Sequence, residues 1–125
     1  TDIKITFTAQ VVPANRGILS SLYGELAGPI KEDRLVGLYQ DFYKDSPFVR
    51  VFNAEAADGS LGTLNVRGSN YCNLVVGTDE RTNKLRIIAH IDNLMKGQAG
   101  NALQNMNLLF GFPEITGLDF PGQYP

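Results

Sequence analysis

The stretch Ala89-His90-Ile91-Asp92-Asn93-Leu94-Met95-Lys96-Gly97-Gln98-Ala99-Gly100-Asn101-Ala102-Leu103-Gln104-Asn105-Met106 decides how the chain is read. Its apolar start continues the run Leu85, Ile87, Ile88 and has the character of a strand. It delivers an Asp–Asn pair, then Lys96 and small residues, then a pattern of helical period. A strand that hands a polar pair to a helix mouth makes a place where anions and cofactor dipoles are favoured. The first turn of a helix presents unpaired N–H groups and the positive end of its dipole.

Working outward, Lys84 to Ile91 is expected to pair with Tyr71 to Thr78 across the charged turn Asp79 to Asn83. Thr63 to Arg67 reads as a further short strand and Gly68-Ser69-Asn70 as a turn. Asn53 to Gly62 is small and polar and reads as a loop. Phe48 to Phe52 is a short apolar strand. Before it, Lys31 to Asp45 predicts a helix: Leu35, Tyr39, Phe42 and Tyr43 recur at helical spacing, and Lys31, Glu32, Asp33, Arg34 and Asp41 supply a wet face. Ser46-Pro47 stops it, because the residue before proline avoids the α region. Gly17 to Leu26 reads as a strand. Ile3, Ile5 and Phe7 alternate with polar residues and, extended by Val11-Val12, predict another strand that pairs antiparallel with it across Pro13-Ala14-Asn15. After the opening stretch, Lys96 to Phe110 is the second helix, with Ala99, Ala102, Leu103, Met106 and Phe110 on one face and Gly111 as its C′ residue. The tail from Phe112, broken by proline and glycine, reads as an irregular strap.

About six strands and two helices give an α+β fold: a mostly antiparallel or mixed sheet with helices on one face. The other face has Ile18, Leu22 and Val75 among neighbours that are not clearly polar. A second copy of the chain is the expected cover, so a homo-oligomer through the sheet is expected.

At 125 residues the chain suits one domain. Net charge is −2, from 11 basic and 13 acidic side chains, which leaves no electrostatic footprint for nucleic acid or an anionic membrane. No apolar run approaches the roughly 20 residues of a membrane helix. A lone cysteine, Cys72, favours a reducing compartment. A chain that opens on Thr1, without an initiator Met, is expected to be a processed product or a piece of a longer polypeptide.

Five features could carry chemistry, each with a plainer reading beside it. Cys72 lies inside an apolar strand, where a buried small hydrophobe is a better description than a nucleophile. His90, the single histidine, could be a general base, but without a patterned partner it reads as structural or interfacial. One His and one Cys give no metal-ligand spacing, so no metal is expected. There is no phosphate-binding glycine motif of the dinucleotide or P-loop kind. Gly97-Gln98-Ala99-Gly100 allows close approach of either a ligand or a packing partner. Asn93 could bind a carboxamide or cap the turn after it. Arg16, in the turn Asn15-Arg16-Gly17, could recognise a carboxylate or phosphate or simply be solvated.

The sequence Asp92-Asn93-Leu94-x-Lys96-Gly97-x-Ala99, followed by Gln104-Asn105 and Phe110-Gly111, resembles the final motif of the N-acetyl-γ-glutamyl-phosphate reductases of arginine biosynthesis. Phe7-Thr8 with Arg16-Gly17-Ile18-Leu19, the joint Ser46-Pro47-Phe48-Val49-Arg50-Val51, and Cys72 in the strand after the loop extend the similarity from Thr1 to about Leu118. The resemblance implies a glyceraldehyde-3-phosphate-dehydrogenase-like C-terminal domain. It implies that residues 1–125 are one catalytic and dimerisation domain, whose nucleotide-binding domain lies upstream and is absent from this chain. The reaction implied is NADPH-dependent reduction of an acyl phosphate to N-acetylglutamate 5-semialdehyde, in the cytoplasm. A cysteine nucleophile and an acid/base histidine are expected upstream. Neither Cys72 nor His90 matches them, so no catalytic residue is expected here and the isolated chain is expected to be inactive. By the same resemblance Asn93, Lys96 and Gly97 lie at the NADP site, and Arg16 serves substrate or the subunit interface. Many members have His where this chain has Gln10, which puts any contact of that His in doubt. Two other functions remain open. One is the related lysine-pathway aminoadipyl-phosphate reductase, mildly disfavoured by the lack of a basic surface for an acidic carrier. The other is a stand-alone oligomerisation or binding module.

Overall fold

The computed structural model of the chain describes residues 4–54 and 61–123. Four strands form one mixed sheet in the order β1-β4-β3-β2. They are β1 (Ile18–Glu25), β2 (Val49–Asn53), β3 (Cys72–Asp79) and β4 (Lys84–Ile91). β4 pairs antiparallel with both β1 and β3, and β2 joins β3 in parallel. The expected α+β class with a mixed sheet is what the chain adopts.

The β3–β4 hairpin needs a tight polar turn. The Asp79 carboxylate accepts bonds from the Arg81 and Thr82 amides, and Asn83 takes positive φ, which Asn tolerates better than most residues. The helix α1 (Glu32–Tyr43) begins with Glu32 and Asp33, whose charge suits the positive end of the helix dipole. Leu35 and Val36 are buried against Val76 of β3, with Ile30, Tyr39, Val51, Leu74 and Leu85 packed around them. Val51, Leu74, Val76 and Leu85 share one sheet face by register, so α1 lies on that face. Glu32 also finishes the sheet edge. Where β2 ends, its Oε2 accepts the Thr78 amide of β3 at 3.1 Å.

Three expectations are corrected. Residues 4–12 form no strand, and the strand expected to pair with them, β1, pairs with β4 instead. Alternation records two faces but names no hydrogen-bonding neighbour. Ile5 and Phe7 are 82% and 85% exposed, so neither face of that segment is buried. Residues 1–3, the start of that expected strand, lie outside the described residues, as do 55–60 of the expected loop. Thr63–Val66 is a 3-10 turn, not a strand. The Asn65 side chain accepts the Gly62 amide, and such a local bond competes with any sheet ladder. The count of strands is therefore four among the described residues, not six.

The second helix begins differently from expectation. Met95–Ala99 is a π turn, and α2 (Gly100–Leu109) continues from it. The tail is a strap, as its prolines and glycines suggest. Asn107 donates to the Glu114 and Thr116 carbonyls, Leu118 is buried, and the Gln123 amide returns to the Arg67 carbonyl. No helix among the described residues is long and apolar enough to cross a membrane.

Candidate functional site

Asp92 follows β4 directly, and donors from three pieces of chain meet on its carboxylate. Oδ2 accepts from Arg16 Nη2 at 2.6 Å, Arg16 Nε at 3.1 Å and the Gly68 amide at 2.7 Å. Oδ1 accepts from the Leu94 and Met95 amides, both at 2.8 Å. The Asp92 carbonyl accepts the Gly97 amide at 2.9 Å. Asp92 is fully buried. Burial pushes its carboxyl up, but the bonds from the Gly68, Met95 and Leu94 amides and from Arg16 outweigh that and hold it below the usual carboxylate range. A buried carboxylate is tolerable only when so fully bonded.

Asn93 completes the junction. Its Oδ1 accepts the Gly17 amide at 2.8 Å, so the turn after Arg16 is tied to the residue after Asp92. Gly17 has φ +100°, and a Cβ there would lie 2.5 Å from the Thr63 Cβ, so only glycine suits the position. With Oδ1 committed, Asn93 keeps its Nδ2 donors. This is the group that could meet a carboxamide oxygen, so the residues present fit the amide end of a nicotinamide. Gly97 adds room: a Cβ would approach the Asp92 carbonyl oxygen at 3.2 Å.

Lys96 faces another way. Its Nζ donates to Gln104 Oε1 at 2.6 Å and lies 5.8 Å from the Phe48 ring. Asn70 Nδ2 reaches the same Gln104 oxygen at 2.9 Å, and Gln104 Nε2 donates to Glu114. Burial lowers the Lys96 ammonium, while Cys72 and Glu114 act to raise it. Cys72 is free and half-buried; burial pushes its thiol up, against the pull of Lys96. That favours the thiol over the nucleophilic thiolate. His90 is buried beside Asn73, its register partner; His90 Nδ1 and Asn73 Oδ1 carry no hydrogen bond. Desolvation pushes the His90 imidazole down, toward the neutral form.

The structure thus brings Arg16, Asn93 and Gly97 into one junction and sets Lys96 beside it, in a polar cluster of its own. Sequence reasoning missed the residue at the centre. Asp92 is visible in the sequence as a polar residue four positions before the expected helix start at Lys96, near enough to signal a cap. Its ion pair is not, since Arg16 lies 76 positions away. Gln104, Asn70 and Glu114 were equally unmarked, having no spacing that announces a cluster.

A sequence profile described as the semialdehyde dehydrogenase dimerisation domain matches residues 1–93. The chain belongs to that family. The match ends at Asn93, so it contains the Arg16–Asp92 pair, while Lys96, Gly97 and α2 follow it. Named relatives are similar along nearly the whole chain. The N-acetyl-γ-glutamyl-phosphate reductase of Geobacter sp. (strain M21) is 47% identical over 124 residues, 98% of this chain and 35% of that protein. The enzymes so named from Geobacter metallireducens and Pelotomaculum thermopropionicum are 48% and 44% identical, over 94% and 99% of the chain and 33% and 35% of their own lengths. The chain therefore spans about a third of the curated relatives it matches. Among solved structures, aspartate semialdehyde dehydrogenase II from Vibrio cholerae, complexed with ASA, superposes with a TM-score of 0.61 at 22% identity. That match covers 80% of this chain and 29% of the other, and it establishes likeness of fold.

Proposed function

We propose that this chain is the C-terminal α+β domain of an NADPH-dependent N-acetyl-γ-glutamyl-phosphate reductase, a cytoplasmic enzyme of arginine biosynthesis. The observation that carries the reading is 44–48% identity to reductases of that name over 94–99% of the chain. An upstream domain supplies the nucleotide fold, the cysteine nucleophile and the acid/base histidine. When bound, the dinucleotide supplies hydride.

In this reading the Asp92 junction is one wall of the nicotinamide site. Asp92 fixes the turn that follows it, Asn93 donates through Nδ2 to the carboxamide, and Gly97 leaves the ring space. Lys96 adds positive charge close by, and Arg16 faces the substrate. The family description supports self-association, and β1 is its best surface. Among the described residues β1 pairs only with β4, and it carries Ile18, Leu19, Leu22 and Tyr23, which are 40–70% exposed. Tyr71 to Val76 lies largely in the interior strand β3 and is less available than β1.

The reverse reaction tests the proposal, with inorganic phosphate, NADP and N-acetylglutamate semialdehyde. The 125-residue chain is expected to give no turnover above background. The polypeptide that includes an upstream nucleotide domain is expected to form NADPH. Turnover by this chain alone, or none by the longer polypeptide, overturns the reading.

A further inference from the structure

We propose that the pocket between the turn at residues 14–16 and the 3-10 turn binds a phosphoryl group, with Arg67 as its main anchor. The cavity holds about 270 Å³ and is lined by Ala14, Asn15, Arg16, Thr63, Leu64 and Arg67. At roughly 30 Å³ per water, that exceeds what a bare phosphate needs and leaves space for an organic remainder.

Arg16 and Arg67 both line this pocket, and the buried Asp92 carboxylate pairs with Arg16 behind it. Arg16 spends Nε and one Nη2 hydrogen on Asp92, which leaves its Nη1 edge uncommitted. The same carboxylate oxygen accepts the amide of Gly68, so the backbone that carries Arg67 is pinned beside the Arg16 head. The Arg67 side chain is half-buried and makes no hydrogen bond or ion pair among the described residues. After Asp92 is counted against Arg16, one positive charge is left over. Partial burial of that charge beside a like charge is unfavourable, and an anion between the two forks relieves it.

The donors favour a phosphoryl group over a carboxylate. Arg67 and the free edge of Arg16 offer two forks, and Thr63 and Asn15 add a hydroxyl and an amide with no other side-chain hydrogen bond among the described residues. A phosphoryl group brings a third acceptor oxygen and a larger negative charge than a carboxylate, so it uses more of these donors and both guanidinium groups. The inference rests on the reductase reading for the parent molecule of that group, an acyl phosphate or the phosphate it releases, and not for the binding itself.

Amide chemical shifts of the isotopically labelled chain test it during titration with inorganic phosphate, chloride holding the ionic strength constant. Saturable shifts are expected at Arg16, Gly17, Leu64, Arg67 and Gly68. Arg67→Gln is expected to weaken binding about tenfold, the loss of one charge-assisted interaction, with an otherwise native spectrum. Arg67→Lys, which keeps the charge, is expected to bind at an intermediate level and stands in should the glutamine variant fail to fold. Acetate is expected to bind more weakly than phosphate. No saturable shift, a response that chloride reproduces, unchanged binding in both variants, or acetate binding as tightly as phosphate overturns the proposal. An enzyme without turnover leaves this titration as it is, so the two readings fail separately.

Discussion

Asp92 concentrates more of the junction than any other side chain, and its removal tests that directly. In Asp92→Asn an amide nitrogen replaces one carboxylate oxygen, and it turns a donor toward Arg16 and the Gly68 amide. Breaking a buried, fully bonded ion pair costs about 3–5 kcal/mol, and urea denaturation at neutral pH should show a loss of that order. The pH profile carries a second signature. The folded-state carboxyl titrates below its unfolded value, so its contribution is complete above about pH 4 and is lost as pH falls through the folded value. The parent should therefore lose stability in that window, and the gap between parent and Asp92→Asn should close. His90 gives a separate, milder limb. Burial lowers its folded pKa, so stability is complete above about pH 6.5 and declines as pH falls from there through the folded value. Replacing His90 with Asn should remove that limb and leave the lower one. A denaturation profile flat between pH 7 and roughly pH 3 would contradict both assignments.

At the scale of the element, the sequence was most legible where side-chain period and burial agree. β4 runs from Lys84 to Ile91 as its pattern suggests, and α1 keeps Leu35 and Tyr39 on the sheet side. It was least legible where a local bond or a distant partner decides. The alternation of residues 4–12 found no neighbour, and Asn65 folded its segment into a turn. In the candidate site, Asn93 and Gly97 were marked by their place between strand and helix. The π turn that seats them was not, because its winding depends on Asp92 capping Leu94 and Met95 and on the Ala99 amide reaching the Leu94 carbonyl. Gly100, first residue of α2, carries a prediction. A Cβ there would collide with Asn70 Oδ1 and lie 2.9 Å from the Met95 carbonyl carbon and oxygen. Alanine ordinarily stabilises a helix by about 1 kcal/mol over glycine, but overpacking costs about 1–3 kcal/mol. Gly100→Ala should therefore be neutral to destabilising by up to about 2 kcal/mol, and should release Gln104 from Asn70. A clear rise in melting temperature would show that the collision is absent.

For the whole molecule, the reading as a dimerisation domain places the burden on β1. The chain should sediment as a dimer at micromolar concentration. The double substitution Leu19→Lys and Tyr23→Lys should yield monomer with an unchanged far-UV circular dichroism spectrum, since both side chains point to solvent in the single chain. A parent that sediments as monomer, or a variant that stays dimeric, would remove β1 from the interface. The 76 positions between Arg16 and Asp92 have a further consequence, for synthesis. Among the described residues β1 pairs with β4 and the Arg16 turn closes on Asp92, so residues 4–25 leave the ribosome before these partners are made. At elongation rates of about 5–20 residues per second, the wait is roughly 4 to 15 s. α1, β2 and β3 are made in that interval, while the β1 backbone waits for its β4 partner. The nascent chain thus has a window in which chaperone capture or premature contact with another copy competes with native closure.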